Sequence, residues 1–91
     1  MGSLYGFAYS ERALSFVKTI PPKLRRQIVG KITDLAADPH PNGHKVVQGM
    51  KNGEEIVYRI RSGDYRVLYV VRNNPSHIVV LDIAHRKDIY R

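Results

Sequence analysis

Three arginines crowd the run from Ile56 to Val71, which reads Ile-Val-Tyr-Arg-Ile-Arg-Ser-Gly-Asp-Tyr-Arg-Val-Leu-Tyr-Val-Val. Guanidinium is planar, offers five donors in a fixed fork and stays charged at any physiological pH, so Arg59, Arg61 and Arg66 suit the binding of phosphate or carboxylate oxygens. A second group closes the chain in His-Arg-Lys-Asp-Ile-Tyr, residues 85 to 90. It adds a further guanidinium at Arg86, a phenol at Tyr90 and an imidazole at His85, the side-chain type that ordinarily titrates near neutrality. Together these types can bind an anion, stabilise charge growing on it and move a proton.

Whether the three arginines meet depends on how the run folds. Two stretches rich in β-branched and aromatic residues flank Ser62-Gly63-Asp64-Tyr65, the pattern of a tight β-hairpin with glycine where φ must be positive. With Gly63 and Asp64 as the loop, Ser62 faces Tyr65, Arg61 faces Arg66, Ile60 faces Val67 and Arg59 faces Leu68. Strand side chains alternate between faces, which puts Arg59, Arg61 and Arg66 on one side and Tyr58, Ile60, Tyr65, Val67 and Tyr69 on the other. Like charges directly opposite each other destabilise a sheet, so the cluster calls for a counter-charge from the protein or a ligand. Asp82, a carboxylate inside the apolar strand Ile78 to Ile83, is the expected internal partner for a hairpin arginine, since a buried charge must be paired.

The elements that carry these groups follow in order. Leu4 to Tyr9 reads as a first strand. Ser10 can N-cap a helix carrying Ala13, Leu14, Val17 and Ile20 at helical spacing, stopped by Pro21-Pro22. A second helix opens near Pro22, sets Leu24, Ile28, Ile32 and Leu35 on one stripe and ends at Asp38-Pro39. Gly30 inside it costs roughly 1 kcal/mol relative to alanine, for which close packing on the first helix is the expected reason. Lys23, Arg25, Arg26 and Lys31 lie mostly off the stripe, forming a solvated face or a docking surface for RNA. Residues 39 to 53 are dense in turn formers and read as a connecting loop whose Val46, Val47 and Met50 cover the edge of the core. His40 and His44 are separated by Pro41, Asn42 and Gly43, which forbid a regular helix, so no metal site is expected there. The expected fold is α+β: a strand, a helical hairpin, then a three-strand antiparallel meander, with both helices on one face of a small, mostly antiparallel sheet.

The chain of 91 residues is read as one domain, 1–91, carries a net charge of +7 and has no cysteine. Disulfide frameworks, thiol nucleophiles and thiolate metal sites are excluded. No apolar run approaches the roughly 20 residues needed to span a bilayer, and no signal-peptide pattern opens the chain, so a cytoplasmic location is expected. The charge favours a polyanionic partner such as nucleic acid.

The order of elements, with Gly-Asp-Tyr-Arg-Val-Leu-Tyr at 63–69 and His-Arg-Lys-Asp-Ile-Tyr at 85–90, resembles the RelE/ParE toxin superfamily along essentially the whole chain. The resemblance implies the toxin of a type II toxin–antitoxin pair. In the RelE branch it implies cleavage of messenger RNA in the ribosomal A site without metal or other cofactor, by attack of a ribose 2′-hydroxyl on the adjacent phosphate. It assigns phosphate contact to Arg66, transition-state stabilisation or acid catalysis to Arg86 and substrate contact to Tyr90. Arg59 and Arg61 fall where the type member has two lysines, and arginine is a poor base, which leaves the base unassigned, with His85 the candidate by intrinsic pKa. Lys23, Arg25, Arg26, Lys31, Lys45 and Lys51 are the expected RNA and ribosome contacts. The implied partners are a cognate antitoxin in a higher-order assembly, the ribosome and messenger RNA, with no membrane. The ParE branch offers an alternative, a DNA gyrase poison acting by protein binding; a weakly toxic relative that chiefly binds antitoxin is a third.

Overall fold

A computed structural model describes residues 4–88. Its elements are β1 (Gly6–Tyr9), α1 (Glu11–Val17), α2 (Pro22–Asp34), β2 (Lys45–Asn52), β3 (Glu55–Ser62), β4 (Tyr65–Arg72) and β5 (His77–His85). The five strands form one sheet in the order β1-β5-β4-β3-β2. All neighbours are antiparallel except β1 and β5, which run parallel. The α+β architecture is as expected, and the meander has four strands rather than three.

Ser10 starts α1 and ties it to the sheet at once. Its Oγ accepts from the Ala13 amide at 3.0 Å and donates to the Leu81 carbonyl at 2.6 Å. This satisfies one of the free amides of the helix start. The helix ends at Val17, before the prolines, and the carbonyls of the turn that follows are held from the neighbouring helix. Arg25 Nη2 donates to Ile20 O at 2.9 Å and to Lys18 O at 3.2 Å. Ile20 is thus beyond the helix yet buried, while Leu14, within it, is 44% exposed.

Helix α2 ends at Asp34, short of the expected Asp38-Pro39, and the stripe holds for Ile28, Ile32 and the C-cap Leu35, each 1% exposed, whereas Leu24 is 39% exposed. These residues pack with Ala13 and Ile20 on Ile60, Val67, Tyr69, Ile78, Val80 and Ile83 of the sheet. The other face carries a smaller cluster of Val47, Val57, Leu68 and Val70. Close packing does not account for Gly30, because a Cβ built on it meets nothing within 4 Å.

The stretch 39–53 is only partly a loop. Lys45 to Asn52 form β2 against β3, but residues 47–50 stand opposite the single residue Val57, between the pairs Val46↔Tyr58 and Lys51↔Ile56. Gly49 at φ +75° permits this arch. Its two turned-in side chains, Val47 and Met50, cover the smaller cluster, while Val46 stays 47% exposed. Ahead of β2, the loop is fastened by the buried Tyr69, whose hydroxyl donates to Pro39 O at 2.7 Å. Burial pushes the Tyr69 phenol pKa up, so it remains a donor.

The β3–β4 register is the expected one, from Ser62↔Tyr65 through Tyr58↔Tyr69, with Gly63 at φ +58°. At the far end of this hairpin Arg72 grips Glu55 through two hydrogen bonds of 2.8 Å, and Asn52 Nδ2 adds a third at 2.9 Å. Hydrogen bonding from Arg72 lowers the Glu55 carboxyl from 4.5 to about 2.

Two outcomes are expected. Gly30→Ala raises the unfolding free energy by about 0.5–1 kcal/mol in a denaturant titration, because the position is helical and open. Glu55 is ionised more readily in the folded chain, so its contribution is present above its unfolded pKa and is lost as pH falls through about 2. Glu55→Gln therefore flattens the fall of Tm between pH 4.5 and about 2.

Candidate nucleic-acid interface

The hairpin register brings Arg61 directly opposite Arg66, and β2 brings Lys45 directly opposite Arg59. Opposed residues share a face, so four cations lie on the side of the sheet away from the helices, beside Val57 and Leu68. Lys45 joins the cluster only because residues 45–52 pair as a strand.

The Arg66 guanidinium folds back on the turn, with Nη1 3.1 Å from Gly63 O and 3.2 Å from Tyr65 O. These carbonyls orient it without neutralising it. Among the described residues no salt bridge reaches Arg61 or Arg66. Asp82 does not supply one. It stands opposite Leu68, and its ion pair is with Arg12 of α1, with Nε 3.9 Å from Oδ1. The expected hairpin partner is thus replaced by a helix residue, because Asp82 lies on the part of β5 that runs beside α1.

Arg86 is laced to the hairpin turn. Its amide donates to Asp64 O at 2.6 Å and its Nε lies 3.6 Å from Asp64 Oδ1. Both side chains are more than half exposed, so this pair positions Arg86 and adds little stability. The contact draws the end of β5 against the turn that starts β4 and its Arg66.

His85 goes elsewhere. It pairs with Tyr65, whose ring it meets edge-on at 5.7 Å, whereas Arg66 pairs with Ala84. The imidazole therefore lies on the helix face, and its Nδ1 accepts from the Lys87 amide at 3.3 Å. Strand alternation thus separates the His85 ring from the face that carries Arg66. Tyr90 lies outside the described residues.

The helix cations are divided as well. Arg25 spans the turn between the helices, its Nη2 donating to the Lys18 and Ile20 carbonyls. Lys23, Arg26 and Lys31 are exposed on α2, on the opposite side of the sheet from the arginine face. Lys31 approaches the arginines only at the β3 edge, where it and Arg61 line one cleft. Lys51 pairs with Ile56 and falls on the other face from Arg59. No group of three or more His, Asp or Glu side chains that could hold a metal occurs among the described residues.

Comparison with known proteins adds an independent observation. A sequence profile of the family described as the ParE toxin of type II toxin–antitoxin systems matches residues 7–90. The chain belongs to the RelE/ParE toxin superfamily. It is 31% identical over 81 residues to the candidate toxin RelE1 of Methanocaldococcus jannaschii, covering 89% of each chain. The fold of this RelE-like toxin superimposes on the archaeal RelE–RelB complex of Pyrococcus horikoshii with a TM-score of 0.77 at 24% identity, covering 93% and 98% of the two chains. The RelB–RelE antitoxin–toxin complex of Methanococcus jannaschii gives 0.68 at 26% identity, covering 90% and 93%. No helix among the described residues of the toxin is long and apolar enough to cross a membrane.

Like charges opposed across a hairpin cost sheet stability. Arg61→Ala is expected to leave the fold intact or raise its stability by a few tenths to about 1 kcal/mol. The same variant should bind single-stranded RNA more weakly, with a salt dependence shallower by about one charge. Thermal denaturation and fluorescence anisotropy at several salt concentrations read the two effects separately.

Proposed function

We propose that this toxin is an endoribonuclease that cuts messenger RNA on the ribosome, acts in the cytoplasm and is restrained by a cognate antitoxin within a higher-order complex. The observation that carries this reading is the Arg61–Arg66 pair, directly opposed across the hairpin with no salt bridge among the described residues. Such a pair is complete only when an anion sits on it. RNA supplies one at every linkage, and the row extends to Arg59 and Lys45 for a neighbouring phosphate. The curated relative is a candidate toxin, and the solved relatives are RelE chains bound to RelB, which supports an antitoxin partner here.

The chemistry follows from the substrate. The ribose 2′-hydroxyl gives up its proton to solvent as its oxygen attacks the adjacent phosphorus, the bond from phosphorus to the 5′-oxygen breaks, and that oxygen takes up a proton from solvent. The products are a 2′,3′-cyclic phosphate and a 5′-hydroxyl. Charge builds on the equatorial phosphoryl oxygens and on the departing oxygen. Fixed guanidinium donors aimed at those atoms stabilise the transition state more than the ground state. Arg66 and Arg61 face the phosphoryl oxygens, and Arg86, held by Asp64 at the hairpin end, serves the departing oxygen. His85 takes no part, since it faces the helices.

A second reading has one observation in its favour: the matching family profile is that of ParE. The ParE-like alternative is a protein that poisons DNA gyrase by binding it, leaving messages intact.

Primer extension on messages from induced cells separates the two. The nuclease reading expects cuts at discrete positions in translated messages, reduced by about 10²–10³ in Arg66→Ala and Arg86→Ala. His85→Ala should lose less than about tenfold, short of the 10²–10⁴ attributable to a general base. Intact messages together with inhibited supercoiling would establish the gyrase reading instead.

A further inference from the structure

Where α2 ends beside β3, a cleft of about 390 Å³ opens next to the arginine face. Its apolar part is Ile60 and Pro41; Lys31, Asp34, Asn42, Gly43 and Arg61 complete its lining. The volume falls within the range of small-molecule sites, roughly 300–1,000 Å³. We propose that this cleft is a subsite for one nucleobase, guanine in preference to the other three, of the RNA strand whose phosphates lie on Arg61 and Arg66. The proposal rests on the nuclease reading for the identity of that strand, and on the cleft alone for the choice of base.

The lining has the chemistry of a base in negative. A nucleobase has flat apolar faces and an edge of donors and acceptors, matched here by two apolar residues and a charged and amide rim. Lys31 and Asp34 are three apart on α2 and therefore share a side of the helix. No hydrogen bond or ion pair engages the Asp34 carboxylate among the described residues. An ionised carboxylate only accepts, so it selects an edge with N–H groups. Guanine alone presents two adjacent donors there, N1–H and the N2 amino group. Adenine and cytosine set a lone pair beside their amino group, and uracil flanks its single N–H with carbonyls. Lys31 provides donors for the O6 and N7 acceptors of guanine, while Arg61 at the rim stays with the phosphate.

The loop wall of the cleft is already braced. Tyr69 holds Pro39 O, His44 donates its amide to Pro41 O at 3.0 Å, and His44 Nδ1 lies 2.8 Å from the same oxygen. The His40 ring packs edge-on against Tyr58 at 4.8 Å. Little ordering cost therefore remains at binding. Arg61 belongs to both the cleft and the arginine face, so a base in the cleft and a phosphate on the hairpin can come from one nucleotide or its neighbour.

The test titrates the full chain with guanosine 5′-monophosphate and adenosine 5′-monophosphate while following backbone amides by NMR. Guanosine monophosphate is expected to move the amides of Asp34, Gly43 and Arg61 and to bind about 5- to 150-fold more tightly than the adenine nucleotide, the range of one good bidentate contact. Asp34→Asn, which keeps side-chain shape at an exposed position, should bring the two affinities within about twofold. Equal affinities in the unaltered chain, or a preference that survives Asp34→Asn, would overturn the proposal. Discrimination by a chain that leaves messages uncut retains the cleft and defeats the nuclease reading. Cleavage by a chain that does not discriminate does the reverse.

Discussion

Arg61 and Arg66 confront each other across the β3–β4 hairpin, and most of the structure around them is explicable as the means of holding that unfavourable pair in place. On the reverse side of the same two strands, Ile60 and Val67 are directly opposed and packed under Ile28 and Ile32. Burial of four such side chains contributes about 1.5–3 kcal/mol each, against a repulsion of at most about 1 kcal/mol for one opposed like-charged pair. Packing wins by a wide margin. A one-residue slip of register would turn the arginines into the core and expose the isoleucine and valine, so the alternation that protects the fold also fixes the charges outside.

The two faces of the sheet consequently do different work. The helix face holds the larger apolar cluster, the Tyr69 hydroxyl and the His85 imidazole, all engaged within the protein. The opposite face has a small apolar patch covered by the β2 arch, and around it cations whose orientation comes from carbonyl oxygens and a turn aspartate. For Arg66 the carbonyls give orientation without neutralisation, the condition for an anion site that is ready before its ligand arrives.

Much of this was legible in the chain itself. The hairpin could be placed to the residue because Gly63-Asp64 leaves one sensible loop and strand alternation does the rest. Strand β2 could not, because the four residues 47–50 spend no regular period and Gly49 reads as a turn former; its pairing depends on β3 rather than on its own pattern. Lys45 was consequently foreseen as a basic residue but not as the partner of Arg59. The pairing of Asp82 with Arg12 is hidden for a related reason: nothing local announces that α1 stops early and lies along β5. Arg25 looked like a surface charge, although its value is in closing the turn between the helices. The lacing of Arg86 to Asp64 also has no local signal, since it joins a turn to the end of a strand far along the chain.

One feature of β5 bears on how the molecule moves. Strand β1 accompanies it only over the pairs Gly6↔His77 to Tyr9↔Val80. Beyond Leu81 no strand among the described residues lies on that side, and α1 takes its place through the Ser10 contact to Leu81 O. The half of β5 that leads to Arg86 is therefore hydrogen-bonded as a sheet on one side alone, like a plank fixed along a single edge. Its hold comes instead from β4, from α1 and from the buried Ile83, and the contact of Arg86 with Asp64 fastens its end like a latch.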